Sequence, residues 1–111
     1  MTRQFPESDW KVFRRLHTLA LERFCARVLE EIKLATANCT SDYHKRYLEV
    51  FHLIMERNDS MADAFDDMRR SKAIILITNI MAAQLLTADE FLQFSPETRE
   101  TVEGILDIRG K

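Results

Sequence analysis

Residues 47–68 read YLEVFHLIMERNDSMADAFDDM, and Tyr47, Phe51, Ile54, Asn58, Met61, Phe65 and Met68 recur in this stretch at alternating steps of four and three residues. An α-helix returns to the same face about every 3.6 residues, so this spacing puts all seven on one seam, whereas a strand would need alternation at every second residue. Only Asn58 is polar there. The pattern predicts a helix from about Asp42 to Arg69, packed through its seam in coiled-coil fashion. Asn58-Asp59-Ser60 is the one place where it would break, because Ser60 followed by Asp63 resembles a fresh cap.

The surroundings extend the helical reading. Between Pro6 and Pro96 there is no proline, and no glycine occurs before Gly104, leaving 89 residues without either strong chain-breaker. Hairpins and tight turns depend on glycine and proline for positive or preset φ, whereas helices joined by polar corners do not. The expected class is all-α, a single-domain antiparallel bundle of four to five helices over residues 1–111. Residues 1–7 read as an N-terminal tail and 109–111 as a frayed end. Phosphate-cradling glycine loops are missing for the same reason.

Upstream of the seam, a first helix is expected to start at a Ser8 cap, with Asp9 favouring the positive end of its dipole, and to run to about Ala37. Phe13, Leu16, Ala20 and Phe24 form one apolar stripe; Leu21, Cys25, Val28, Ile32 and Ala35 form another. Their incomplete overlap marks His17 to Ala20 as the place for a bend. Asn38 to Asp42 is a polar corner in which Thr40 or Ser41 would cap the second helix. Downstream, the fourteen residues from Ala73 to Leu86 are the most apolar run. They fall short of the roughly twenty needed to cross a bilayer, so they read as a helix surrounded by its neighbours. Thr87-Ala-Asp-Glu90 has the form of a capping box, and Ser95-Pro96 sets a cap before a first-turn proline. Short helices over about 88–94 and 96–107 follow, the last weakened by Gly104.

Composition narrows function chiefly by exclusion. A net charge of −2 gives no global attraction to nucleic acid or anionic membrane. Cys25 and Cys39 are too few for a disulfide framework, and the N-terminus lacks an apolar signal segment, so a cytoplasmic location is expected. Glu49 and His52 have the Glu-x-x-His spacing of di-iron bundles, but the chain carries one such motif, and Glu49 falls opposite the seam with His52 about 100° from it. A solvated glutamate and a flanking histidine account for them. His17 and His44 border apolar faces, where a packed ring with one hydrogen bond is the usual role. Cys25 reads as a small core residue and Cys39 as a loop thiol.

Basic residues cluster at Arg14-Arg15, Lys45-Arg46 and Arg69-Arg70 with Lys72, and a bundle that joined them would present a local positive patch. The segment Met81 to Leu106 has the outline of helix, turn, helix. Glu97, Glu100 and Glu103 on its second helix are the wrong sign for insertion beside phosphates. Phe5 and Trp10, bracketing Pro6, either staple the N-terminus to the bundle or anchor a partner. Leu48 and Met55 flank the seam, and Val50 and Leu53 point elsewhere, more apolar surface than a small monomer hides. The expectation is a non-enzymatic, cofactor-free helical interaction protein of adaptor or regulatory type, forming a symmetric homodimer. Its candidate contact residues are Phe5, Trp10, Leu53, Arg69, Arg70 and Lys72. A nucleic-acid-binding regulator is the alternative, and a metal-binding bundle or unrecognised enzyme comes third.

Overall fold

The computed structural model describes residues 5–37 and 42–110, and within them the chain is all-helical. Helix α1 spans Glu7–Thr36, α2 Tyr43–Phe65, α3 Ala73–Ala82, α4 Ala88–Phe91 and α5 Pro96–Arg109, with a 3-10 turn at Arg70–Lys72 leading into α3. The described chain measures 58 × 28 × 24 Å with a radius of gyration of 17.0 Å, against roughly 13 Å for a compact domain of about 100 residues. The elongation comes from α1 and α2. Thirty helical residues of α1 rise about 45 Å, and its contacts with α4 and the end of α3 extend as far as Arg23 and Arg27.

Two regions result. In the head, Phe13, Leu16, Ala20 and Phe24 of α1 pack with Ala64 and Phe65 of α2, Ala73, Leu76, Ile77 and Ile80 of α3, and Leu85, Phe91, Phe94 and Val102 beyond it. In the arm, α1 beyond Phe24 and α2 before Ala64 run antiparallel, and no apolar residue of either reaches full burial. The second stripe of α1, Leu21, Cys25, Val28, Ile32 and Ala35, is half-buried along its length. The two stripes therefore serve different neighbours, and α1 stays one helix through His17 to Ala20 where a bend was expected.

Several local expectations are corrected. Helix α1 starts at Glu7, with Pro6 at the N-cap and no side-chain cap, so Ser8 lies inside the first turn. Phe5 and Pro6 are half-buried and Phe5 packs on the core, so residues 5–7 are not a free tail. Helix α2 passes unbroken through Asn58 to Ser60 but ends at Phe65, before the expected Arg69. Acidic Asp66 and Asp67 are unfavourable at the negative end of a helix dipole. Asp67 adopts a left-handed φ of 57°, a conformation aspartate tolerates better than most residues, and Arg69 grips its carboxylate. At the other end of α2, Asp42 accepts the Lys45 N–H as N-cap; Thr40, Ser41 and Cys39 lie outside the described residues. The helix in the apolar run stops at Ala82, and Gln84 turns the chain at φ 58°. Helix α5 keeps Arg109 and a C-cap at Gly110, whose N–H bonds to the Leu106 carbonyl, where fraying was expected.

The C-terminal helices form where their caps place them. Thr87 Oγ1 accepts the Glu90 N–H while the Glu90 carboxylate accepts the Thr87 N–H, and Ser95 caps α5 ahead of Pro96. As the apolar run requires, α3 is largely surrounded, with Ala73, Leu76, Ile77, Thr78 and Ile80 all buried.

Candidate interaction surface

Along the seam of α2 the side chains pass from open to covered. Tyr47 is 66% exposed, Phe51 47% and Ile54 39%; Met61 is half-buried and Phe65 only 6% exposed. The periodicity is unchanged, so the difference lies in the neighbours: the head covers this side of α2 from Met61 onward, and nothing among the described residues covers it before. Tyr43, Leu48 and Met55 widen the open part into a stripe of six large apolar side chains. Val50, Leu53 and Arg57 are half-buried on the side of α2 turned to α1. There Arg57 binds Glu31 through two hydrogen bonds of 3.0 and 2.7 Å, and Arg46 reaches the Thr36 carbonyl. At the arm's tip Thr36, Tyr43, Arg46, Tyr47 and Val50 line a cleft of about 380 Å³. Arg46 stacks over Tyr43 at 4.6 Å, and its buried Nε has no hydrogen-bond partner among the described residues.

The six residues singled out from sequence do not form one surface. Phe5 and Trp10 pack half-buried against the head core, with Trp10 edge-on to Phe13 at 6.0 Å. Leu53 belongs to the α1-facing side of the arm, and the open stripe lies on the adjoining face of α2. Arg69 is held by Asp67, while Arg70 pairs with Glu7 and lies 5.9 Å from the Trp10 ring centre. Lys72 is exposed. The stripe residues Tyr43, Tyr47, Phe51 and Ile54 went unselected because their seam reads from sequence as interior.

A second feature lies on the head. Lys11, Arg14, Arg15, His17, Thr18 and Met68 line an open cleft of about 460 Å³. Arg15 donates to the Gln93 side chain, whereas the side chains of Lys11 and Arg14 make no hydrogen bond or ion pair among the described residues. His17 is a structural ring, set edge-on between Phe13 and Phe65 with Nε2 donating to the Phe65 carbonyl at 3.1 Å, which satisfies one open end of α2.

Polar contacts fix the arm's direction by locking α1 to the rest of the head. Arg23 forks onto Glu90 at 2.6 and 2.8 Å and also donates to the Leu85 carbonyl. Arg27 reaches the carbonyls of Ala83 and Gln84 at the end of α3. Arg23 and the Thr87 N–H hold the Glu90 carboxyl at about 2. Asp9, 2% exposed, accepts the N–H and hydroxyl of Ser95 and the hydroxyl of Thr98, at 2.8, 2.6 and 2.6 Å. Burial pushes its carboxyl up, but the bonds from Ser95 and Thr98 outweigh it and hold it below the ordinary 3.8. Asp9 thus anchors the start of α5. Its sequence signal is its position four residues before Phe13, in register with the buried stripe.

Glu49, His52 and His44 are exposed on the arm and Cys25 is half-buried; among the described residues no three His, Cys, Asp or Glu side chains converge in a metal-holding group. No described helix is long and apolar enough to cross a membrane. No protein-family model, curated protein or solved structure matches the chain.

Proposed function

We propose that this chain is a small cytosolic interaction protein of adaptor or regulatory type, non-catalytic, that binds a protein partner through its arm. The observation supporting the reading is the stripe Tyr43, Tyr47, Leu48, Phe51, Ile54 and Met55, open on a two-helix support. Monomeric proteins seldom keep contiguous apolar patches beyond about 300–600 Å² unless these are functional, and aromatic side chains dominate the energetics of interfaces. The test is affinity capture from the native cells with wild type and the pair Tyr47→Glu, Phe51→Glu. Wild type is expected to retain a defined polypeptide, itself included, that the variant loses; equal retention by both sinks the reading.

A second reading, contact with a polyanion, is favoured by Lys11 and Arg14, whose side chains have no partner among the described residues and lie beside Arg15 in the head cleft. Cations at this spacing on one helix repel one another, and an anion relieves the repulsion. Salt-sensitive retention on a polyanion column, abolished by Lys11→Glu with Arg14→Glu, is the expected result; retention unchanged in that variant removes this assignment.

A further inference from the structure

Resting on the interaction reading, we infer that the occupant of the arm is a second copy of this chain, laid antiparallel so that the two arms close into an intermolecular four-helix bundle. The direction follows from where the head sits. It covers α2 on the seam side from Met61 onward, so a helix lying on the open seam must stop there. A parallel copy would bring its own head to the same level on the same side, and the two would collide. Reversing the copy sets each head beyond the tip of the other arm and leaves residues 43–58, about 24 Å of helix, free to pair.

Self-pairing also suits the chemistry of the stripe. A two-fold interface uses the same patch twice and must be compatible with itself. Between Tyr47 and Met55 the only charged residue is Glu49, and it lies about 160° around the helix from Phe51, away from the contact. Residues 25–60 hold five basic and six acidic side chains, so two arms approach without net repulsion. With roughly 150–250 Å² available on a fully exposed aromatic side chain, the six stripe residues present on the order of 600 Å². That approaches the roughly 800 Å² per partner of a standard stable interface before any flanking contact is counted.

The two-fold axis then crosses α2 near Glu49, the midpoint of Tyr43 and Met55. Tyr47 meets Phe51 of the second copy, and Ile54 of the second copy lies against Tyr43 beside the tip cleft.

Photo-crosslinking through Tyr43→p-benzoylphenylalanine, in the native cells and on purified protein, tests occupant and direction together. The expected product has twice the chain's mass, with the cross-link mapped to Ile54 or Met55 of the second copy. A cross-link to residues 43–47 of the second copy overturns the antiparallel arrangement. An adduct to a different protein alone overturns the second copy while the interaction reading stands, and no adduct sinks both. Independently, Phe51→Glu is expected to halve the mass measured by light scattering with helicity unchanged; an unaltered mass overturns the inference.

Discussion

The head and the arm are built from the same two helices, yet one is finished and the other is not. In the head, α1 and α2 are joined by α3, α4 and α5, and Phe13, Ile77, Phe94 and Val102 are sealed from solvent. In the arm, among the described residues, the same helices have only each other, and a helix pair with an apolar stripe on its outer face leaves that stripe in water. Pairing two helices can bury one side of each, whereas a seam and a flanking stripe need a third or fourth neighbour. Stability is therefore concentrated in the head and unsatisfied apolar surface in the arm.

Paired truncations break this comparison most sharply. Phe13→Ala is expected to cost about 3–5 kcal/mol in urea denaturation, because it empties a closed core. Phe51→Ala, measured at a dilution where the chain is monomeric, is expected to change stability by less than about 1 kcal/mol. Equal losses would mean the arm is as closed as the head.

Next in size is Asp9→Ala, which leaves the half-buried Ser95 hydroxyl and the buried Thr98 hydroxyl without their acceptor and is expected to cost about 1–3 kcal/mol. The Asp9 carboxyl is held below its ordinary value, so its contribution is present above pH 3.8 and fades as pH falls through the lowered value. The stability gap between wild type and variant, read from urea midpoints at pH 7 and in acid, should close accordingly. A gap unchanged in acid would refute the carboxylate's role.

Glu90→Gln is expected to cost about 1 kcal/mol by weakening the capping box and the Arg23 fork. The glutamate's share is intact above pH 4.5 and is lost as pH falls toward about 2, a lower limb than an unpaired glutamate would show. Smallest is the arm's own ion pair: both Glu31 and Arg57 are about one-third exposed, and a double-mutant cycle should give no more than about 0.5 kcal/mol. A value several times larger would place the arm among rigid, desolvated structures and blur its contrast with the head.

Much of this architecture is legible in local sequence. Thr87 with Glu90, and Ser95 before Pro96, cap α4 and α5 where their spacing says they should, because a cap joins residues three apart. The stripe Phe13, Leu16, Ala20 and Phe24 is buried as read. What was not legible involves distant partners. Asp9 reads as a residue favouring its own helix dipole, yet it caps a helix 86 residues later in the chain. Arg69 and Arg70 read as part of a local basic patch, and the structure pairs them with Asp67 and Glu7. The open stripe was missed for a related reason, since a perfect seam gives no sign of whether anything lies against it.

By itself, the sequence determined the helical class, the capped C-terminal helices and the face of each helix that is apolar, since these follow from spacing within a few turns. Only the tertiary structure decided that α3 to α5 gather at one end of the α1 and α2 pair. That gathering divides a uniform seam into a covered part at Met61 and Phe65 and an open part at Tyr47, Phe51 and Ile54. The physical reason is that periodicity is a local property, repeated identically along α2. Coverage depends on where remote segments pack, and the described ones gather at one end.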